Sequence, residues 1–535
     1  MPWRVLAAVC VPVFVGALDL TVVSAALPAI IFELGIPLQS GLGEASWVVS
    51  GYLLSYALGI VFIGRASDLV GRRAAFVGAL ALFALGSWAV AIARETPAAF
   101  AADAMRALSG RPDTSVAALY AVIAGRVIQG FAAGALVPVA MALVGDLFPV
   151  GRRAFPLGLV VAVDTAGWVL GHLWGGVVVQ VFPWQAIFWF NLPIAAVAIA
   201  IAWRSLPRPG PHGRRGAFDW PGAALVAVAL AGLNLALSGN EASRERLGVP
   251  DGAPAYVLPA LGLAAAALVG FVILERRSAD PLLDLRPFAG RVALAVAANG
   301  LVGVALMVGL VSVPLLVNAA AAGASAAAAL ASAALLSALT VPLAIAALAG
   351  GVLAGRASER GLTVGGLALA GVGFALLAQA RPDAARQALA GAPGPELASM
   401  VVALLLAGVG LGLTVAPLAT IVVDAAAPSG RGSAAAVVIV LRLVGMMVAV
   451  SALTTYGVRR WAALGPEAFA GIDLQEAQRL LDAGLGLTSR IAAEMAAFAG
   501  GICLIAVLVS LGLPSSRGRA SVPRPSGVTG TTGTA

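Results

Sequence analysis

Long apolar runs recur along the whole chain, and they restrict the fold more than any other feature of the sequence. Each run approaches the roughly 20 residues that a helix needs to cross a bilayer. The mean hydropathy is +0.99 and only 11% of the residues are charged, which excludes large soluble domains. The sequence therefore predicts an all-α polytopic membrane protein with fourteen transmembrane helices, near 5–30, 46–64, 74–93, 116–144, 155–179, 186–206, 219–238, 255–274, 291–316, 331–354, 362–380, 397–423, 432–456 and 491–513.

The arginines indicate the orientation. The chain has no lysine, so its formal net charge of +8 comes from arginine. If the N-terminus lies inside, 20 arginines fall in the inner segments and 11 in the outer ones, as the positive-inside rule requires. This distribution predicts a multi-pass protein of the bacterial inner membrane with both termini cytoplasmic. Because topology explains the basic turns and no soluble basic domain exists, a nucleic-acid partner is excluded.

Composition also divides the chain. A Pro, Gly and Arg-rich stretch at 207–216 reads as a linker after the sixth predicted span. The stretch at 457–490 has apolar residues at helical spacing, which fits either an amphipathic helix or an ordinary external loop. We predict an N-terminal bundle at 1–206, a linker with two inserted helices at 207–290, a C-terminal bundle at 291–513 containing the insertion 457–490, and a disordered cytoplasmic tail at 514–535.

Asp19 lies inside the first apolar run. An aspartate at the centre of a transmembrane helix costs about 2.5 to 3.5 kcal/mol on insertion scales, so such a residue normally faces the protein interior or a water-filled path. The position of Asp19 therefore indicates a functional carboxylate.

Three further charged residues lie deep within predicted spans, away from the span ends. Arg126 and Arg442 cannot discharge by losing a proton, so each needs an acid, a backbone carbonyl or water. An arginine near Asp19 would keep it ionised until the pair separates. We therefore expect Asp19 to alternate between a proton and an arginine, and the sequence leaves both arginines open as the partner. Asp164 is a second candidate proton site.

The turn from Gly64 to Arg73 contains two glycines, one acid and three arginines. A weaker copy follows at Gly355 to Gly361. Related turns in the two halves indicate an internal repeat, which is the usual construction of secondary transporters.

These motifs resemble those of a known family. The turn at Gly64 to Arg73 is similar to the loop signature of the major facilitator superfamily, and Arg126 to Gly130 resembles its RxxQG motif. Ala17 to Pro28 and Trp184 to Pro193 resemble the branch of fourteen-helix drug:proton antiporters. The antiporter motif of that branch is matched by the glycines at Gly158, Gly167, Gly171, Gly175 and Gly176.

Within that branch, Gly64 to Asp68 and Arg442 to Met447 most resemble mycobacterial exporters of triacylglycerol and glycolipids. The long stretch before the last predicted span also fits these lipid exporters, and this resemblance favours Arg442 over Arg126 as the partner of Asp19.

The resemblance implies a major facilitator fold, with two six-helix bundles and two inserted helices, that works by alternating access. It implies that Asp68 and Arg72 latch a gate with Asp146 as acidic partner, in a turn completed by Gly64, Gly71 and Arg73. A solvated turn that only satisfies topology is the alternative.

Gly167, Gly171 and Gly175 are four residues apart in the fifth span and so form one stripe on the helix. The resemblance implies that this stripe packs tightly between the two bundles. The antiporter motif expects proline after Gly171, whereas this chain has His172, which is either a packing residue or a proton carrier.

The predicted function is proton-coupled export of lipophilic compounds, that is, multidrug:proton antiport, with lipid export as the alternative. The expected partners are a lipophilic molecule or lipid, protons, the surrounding bilayer and an accessory lipoprotein. No cofactor beyond the proton gradient and no metal is expected. An enzyme is disfavoured because the only histidines, His172 and His212, begin no catalytic pair, and a non-transporting receptor is a further alternative.

Overall fold

The computed structural model describes residues 2–34, 47–95, 99, 103, 114–149, 152–206, 218–238, 257–278, 281–283, 290–321, 326–354, 357–426, 431–472 and 476–514. Within these ranges the protein is helical and contains no strand. The helices are α1 (Pro2–Glu33), α2 (Trp47–Val70), α3 (Arg72–Ala91), α4 (Thr114–Leu147), α5 (Ala154–Val181), α6 (Ala186–Ser205), α7 (Trp220–Ser238), α8 (Val257–Arg277), α9 (Arg291–Ala320), α10 (Ala326–Leu353), α11 (Glu359–Leu377), α12 (Pro382–Ala390), α13 (Pro395–Ala425), α14 (Arg431–Ala468) and α15 (Ala477–Leu511).

The protein is an all-helical, multi-pass membrane protein. Among the described residues, eleven helices are long and apolar enough to cross a membrane. Helices α5, α7 and α14 carry shorter apolar stretches, at Phe155–Trp168, Trp220–Ala236 and Ala434–Val450. Every predicted span coincides with a helix, whereas the total of fourteen crossings stays a prediction.

Helix contacts separate the molecule into three groups. Helices α1 to α6 pack together, with α1 on α5, and with α4 on both α2 and α3. Helices α9 to α11 and α13 to α15 form a second group, in which α13 packs on α10 and α11, and α9 on α14 and α15. The inserted hairpin, α7 and α8, touches both groups through α7, which contacts α2 and α14. We call the two larger groups the N-terminal and C-terminal bundles.

The two bundles meet at the end of the molecule that carries the turn between α2 and α3, which we call the latch face. There α5 begins and α10 ends, and a Cβ added to Gly158 would lie only 2.7 Å from the carbonyl oxygen of Ala347. Arg153, just before α5, forms an ion pair of 2.8 Å with Asp424 near the end of α13. Direct contact and charge pairing thus join the bundles at the latch face.

At the opposite face the last two long helices continue past the length that a bilayer requires. Helix α14 has 38 residues and α15 has 35, whereas about 20 residues cross the hydrocarbon core. The described part of 457–490 is mainly helical and not an ordinary loop, but it forms the end of α14 and the start of α15 instead of a separate amphipathic helix. The short helix α12 packs beside this extension, where Arg386 pairs with Asp482. The tail at 515–535 and the linker at 207–217, including His212, lie outside the described residues.

Candidate functional site

A cluster of buried polar side chains surrounds Asp19 in the interior of the N-terminal bundle. Asp19 is fully buried and its Oδ2 accepts a hydrogen bond from Nη1 of Arg126, which is also fully buried. Nη2 of Arg126 donates to the backbone carbonyl of Asp19 at 3.1 Å. The structure therefore pairs Asp19 with Arg126 on α4, and the choice that the sequence left open is decided for this conformation.

Amide side chains complete the coordination of the carboxylate. Nδ2 of Asn191 on α6 donates to Oδ1 of Asp19 at 2.8 Å, and Nε2 of Gln129 approaches the same oxygen at 3.4 Å. Gln129 also accepts from Arg126 at 2.9 Å and donates to Ser87 on α3 at 2.6 Å. We call Asp19, Ser87, Arg126, Gln129 and Asn191 the polar network. It joins α1, α3, α4 and α6, so it is internal to one bundle.

Tyr52 on α2 closes the polar network from one side. The Arg126 guanidinium lies 3.9 Å from the centroid of the Tyr52 ring, a distance suited to a cation–π interaction. The Tyr52 hydroxyl donates to the carbonyl of Gly16 at 3.1 Å. Because an uncompensated buried charge is costly, this enclosure stabilises the ion pair against solvent.

A second buried ion pair joins the two bundles. Asp164 on α5 and Arg442 on α14 approach to 3.5 Å, and their side chains are 2% and 7% exposed. Oδ1 of Asp164 and Nε of Arg442 are buried without a hydrogen-bond partner among the described residues. The Arg442 guanidinium lies 5.9 Å from the ring of Trp168. We call Asp164 and Arg442 the bridge pair, and it is looser than the polar network.

The glycines of α5 do not all lie where the sequence interpretation expected them. Added Cβ atoms at Gly167, Gly171 and Gly175 would lie within 2.1 to 2.5 Å of atoms of α1. These glycines therefore allow α5 to approach α1 within the same bundle, and only Gly158 meets the other bundle. A stripe of small residues indicates that some neighbouring helix packs closely against it, but it does not identify that helix. The expected contact between the bundles is therefore wrong for these three positions.

The helical contact between α1 and α5 includes one hydrogen bond. Thr21 donates to the carbonyl of Trp168 at 2.7 Å, one turn before His172. The backbones of His172 and Gly176 belong to α5, whereas the side chain of His172 and the surroundings of Gly176 lie outside what the structure describes. Both roles considered for His172 stay open.

The structure brings together the predicted latch residues. Asp68 and Arg72 form an ion pair of 2.5 Å, and Nε of Arg72 donates to Asp146 at 3.2 Å. Arg72 also donates to Ser67, whose hydroxyl donates to the carbonyl of Gly64 at 2.7 Å. We call Asp68, Arg72 and Asp146 the latch, and it connects the α2 to α3 turn with the end of α4.

Two residues flanking the latch have separate tasks. Gly71 has a φ of 91°, a left-handed conformation that side chains disfavour, and this allows the abrupt turn before α3. Arg73 stacks on Trp203 of α6 with its guanidinium 4.4 Å from the ring. In the weaker copy, Gly355 and Arg356 lie outside the described residues, and Ser358 caps α11 by accepting from Gly361.

Sequence reasoning did not identify Ser87, Asn191 and Tyr52 as members of the site. Asn191 belongs to the motif Trp184 to Pro193, which had been used for the resemblance and not for chemistry. A single asparagine in an apolar helix is a usable signal, because a buried amide needs partners. Ser87 and Tyr52 carry no such signal, since both residues occur in ordinary packing.

The chain is similar to a known family in sequence and to solved structures in fold. The family model described as Major Facilitator Superfamily matches residues 9–450. The chain belongs to the major facilitator superfamily. Among solved structures, this member of the superfamily resembles the proton:xylose symporter XylE, with a TM-score of 0.57, 14% identity and 96% of each chain covered. It also resembles the human organic anion transporter MFSD10, with a TM-score of 0.56, 16% identity, and 95% and 99% of the two chains covered. At these identities the likeness concerns the fold.

Closer relatives are found by sequence. A protein of Mycobacterium leprae named a probable triacylglyceride transporter is 30% identical over 528 residues, which is 96% of each chain. A triacylglyceride transporter of Mycolicibacterium hassiacum is 33% identical over 460 residues, covering 84% of this chain and 78% of the relative. One of Mycobacterium tuberculosis is 32% identical over 460 residues, covering 84% and 81%. This major facilitator protein is therefore a transporter and not an enzyme.

Proposed function

We propose that this transporter exports lipids of the triacylglycerol class, in exchange for protons, across a bacterial inner membrane with both termini cytoplasmic. Multidrug antiport is the second candidate, and its support comes from the motifs that the chain shares with drug antiporters. The names of the mycobacterial relatives support the lipid over the drug, since the alignment of one of them covers 96% of each chain. The observation that carries proton coupling is the bridge pair, a buried acid and arginine held by different bundles.

The interior of the C-terminal bundle suits an apolar cargo. Several of its buried hydroxyls donate to carbonyls of their own helices, as Ser312 does to Val308 and Thr340 to Leu336. Thr414 and Thr420 do the same. The hydroxyls of Ser332 and Ser510, in contrast, have no partner among the described residues. A hydroxyl that is satisfied one turn away offers little to a polar ligand, and sugars need many hydrogen-bonding groups. These contacts support a lipid or lipophilic cargo.

The proposed cycle uses the bridge pair as the switch. A proton that reaches Asp164 from outside neutralises it and weakens its attraction to Arg442, which favours separation of the bundles at the latch face. Lipid then enters the space between the bundles. Release of the proton to the cytoplasm restores the ion pair, closes the latch face and presents the lipid to the outer side. In this scheme the polar network holds the Asp19 carboxylate for a second protonation step.

The test is transport by purified protein in proteoliposomes. Labelled triacylglycerol and a cationic dye are followed in the same vesicles, with and without an imposed proton gradient. We expect gradient-dependent triacylglycerol movement and little dye movement. Dye transport without triacylglycerol transport would contradict the lipid proposal and favour the drug antiporter, and transport that ignores the gradient would contradict coupling.

An accessory lipoprotein that receives the lipid outside is part of the same proposal. Triacylglycerol is insoluble in water, so cargo leaving the outer side needs an apolar acceptor. Adding such a lipoprotein to the proteoliposome assay should raise the amount of lipid released into solution. Release that is unchanged by the lipoprotein would remove this partner from the proposal.

A further inference from the structure

We propose that the inserted hairpin is fixed to α2 and moves with the N-terminal bundle as a unit, and that Glu275 holds the two ends of the hairpin together at the latch face. Glu275 lies in the last turn of α8 and is only 1% exposed. This burial is unusual for its helix, because α8 packs chiefly on α7 and presents Leu258, Leu263 and Val269 outward. A buried acid at the end of a peripheral helix needs partners nearby.

The first partners lie in the turn that follows α8. The backbone N–H groups of Leu282 and Leu283 donate to the two carboxylate oxygens of Glu275, at 3.2 and 3.3 Å. Both leucine side chains are buried. Since this turn leads toward α9, Glu275 holds the exit of the hairpin at a defined place where the chain enters the C-terminal bundle.

The second partner is the start of α7. A Cβ added to Gly222 would lie 2.7 Å from Oε1 of Glu275 and 2.7 Å from Oδ2 of Asp219. Asp219 caps α7 by accepting from the N–H of Gly222 at 2.9 Å. The bare backbone at Gly222 therefore lets Glu275 reach the first turn of the neighbouring helix, which joins the two ends of the hairpin.

The third partner belongs to the N-terminal bundle. Arg65, one turn before the latch residue Asp68, is 6% exposed and lies within electrostatic reach of Glu275, where its attraction opposes the repulsion from Asp219. Beside it, Phe62 of α2 contacts Phe218 with ring centroids 6.0 Å apart, and Phe218 contacts Trp220 at 4.8 Å. The charge and the aromatic contacts together attach the hairpin to α2 at the latch face.

A further contact attaches α7 to α2 away from the latch face. Asn234 donates to the carbonyl of Ser50 at 3.2 Å, although the two residues are 184 positions apart in the chain. Attachment at both ends of α2 prevents rotation of the hairpin about a single contact. The C-terminal bundle touches the hairpin through α14, and the smaller extent of that contact is consistent with motion relative to this bundle.

The test measures distances directly and does not depend on transport. Cys10 and Cys503 are replaced by alanine, and spin labels are placed on Leu263 of α8 and Leu85 of α3, both exposed. Pulsed electron paramagnetic resonance should give one narrow distance distribution. Glu275→Ala should at least double its width, and Glu275→Gln should widen it less because the amide oxygen still accepts one backbone hydrogen bond. Glu396→Ala is the control, since Glu396 is a helix-end acid paired with Arg381 on the opposite face. An unchanged width in Glu275→Ala would overturn the proposal.

A crosslink keeps the proposal testable if Glu275→Ala fails to fold. Phe62→Cys and Phe218→Cys, in the background without native cysteines, are joined by a bifunctional methanethiosulfonate reagent that reductant cleaves. If the hairpin moves with the N-terminal bundle, the crosslinked protein should retain at least half of the lipid transport of its reduced form. Loss of transport on crosslinking and its recovery on reduction would show that the hairpin must move relative to α2, which contradicts the proposal.

Discussion

The two buried ion pairs of this transporter differ in how completely their charges are satisfied. In the polar network, Asp19 meets Arg126, Gln129 and Asn191, and its hydrogen bonds stay within one bundle. In the bridge pair, Asp164 meets Arg442 at 3.5 Å across two bundles, and one carboxylate oxygen has no partner in the described structure. Both pairs are buried, so exposure does not explain the difference.

This difference indicates which ion pair can break and re-form when the two bundles move. In the polar network both carboxylate oxygens of Asp19 and both terminal nitrogens of Arg126 are hydrogen-bonded, although Nε of Arg126 has no partner among the described residues. Such a network is rigid, because breaking any of these bonds leaves a buried charge or dipole without compensation. A loose pair loses less when it separates, and its separation requires only that the bundles move apart. We therefore infer that the bridge pair is the first switch, which responds to the distance between bundles, and that the polar network fixes the geometry of the N-terminal bundle until the second protonation step at Asp19.

Two tyrosines connect the pairs. Tyr52 and Tyr56 are one turn apart on α2, are fully or almost fully buried, and stack with centroids 6.0 Å apart. Tyr52 lies within electrostatic reach of Asp19 and Asp164, and Tyr56 within reach of Asp164 and Arg442. The stacked tyrosines thus lie close to both ion pairs.

The largest expected effect comes from Asp19→Asn. The substitution leaves Arg126 charged, buried and without its acid, which costs about 3 to 5 kcal/mol. We expect proton-driven lipid transport to disappear and the thermal midpoint of the protein in detergent to fall. Asp383→Asn, at an exposed position on α12, is the control. Normal gradient-driven flux in Asp19→Asn would show that the polar network has no part in coupling.

The bridge pair should give a smaller effect and a clear signature. Asp164→Asn and Arg442→Gln should each slow proton-driven flux, and the double variant should be less impaired than the sum of the two. Residues in direct contact show interaction energies of about 0.5 to 3 kcal/mol in such cycles. Flux and thermal midpoint are measured for all four proteins. Strict additivity would mean that the 3.5 Å approach is not an energetic coupling, and the distinction between the two pairs would fail.

The sequence predicted the helices and the charged residues of the site better than their partners. Asp19, Arg126, Asp164 and Arg442 are identifiable because a charge in an apolar run is rare, and every predicted span falls on a helix. Which acid pairs with which arginine depends on how the helices are arranged in space, and a single sequence contains little information about that arrangement. The residues left Asp19 open to Arg126 or Arg442 and the resemblance favoured Arg442, whereas the structure pairs Asp19 with Arg126 and Arg442 with Asp164.

The same limit explains the other differences. The glycine stripe of α5 packs against α1. Which helix packs on such a stripe depends on the arrangement of all the helices, and the local sequence does not contain that arrangement. The long extension of α14 and α15 is only moderately apolar, so hydropathy separated it from the spans although the helices continue. Asn191 lies in the motif from Trp184 to Pro193, but it is uncharged, so the search for charged residues in apolar spans did not identify it.

Asp68→Asn, in the latch, is expected to have a moderate effect. The change removes the ion pair with Arg72 but leaves the contact between Arg72 and Asp146. Losing one or two kcal/mol at the latch face would change the ratio of closed to open protein about 5-fold to 30-fold. Accessibility of a cysteine introduced at Ala347, where α5 and α10 meet, should increase accordingly. Unaltered accessibility with normal flux would mean that the turn serves topology alone.

The smallest effect should come from Asn191→Ala, which removes one donor from a carboxylate that has several. A hydrogen bond contributes about 1 kcal/mol net, so transport should fall about fivefold and the protein should still assemble. Asn318→Ala, at a partly buried position near the end of α9, is the matched control and should leave flux unchanged. If Asn191→Ala instead abolishes coupling as Asp19→Asn does, the carboxylate depends on a single donor. The polar network would then be as easily broken as the bridge pair, and the rigidity inferred from its many bonds would be wrong.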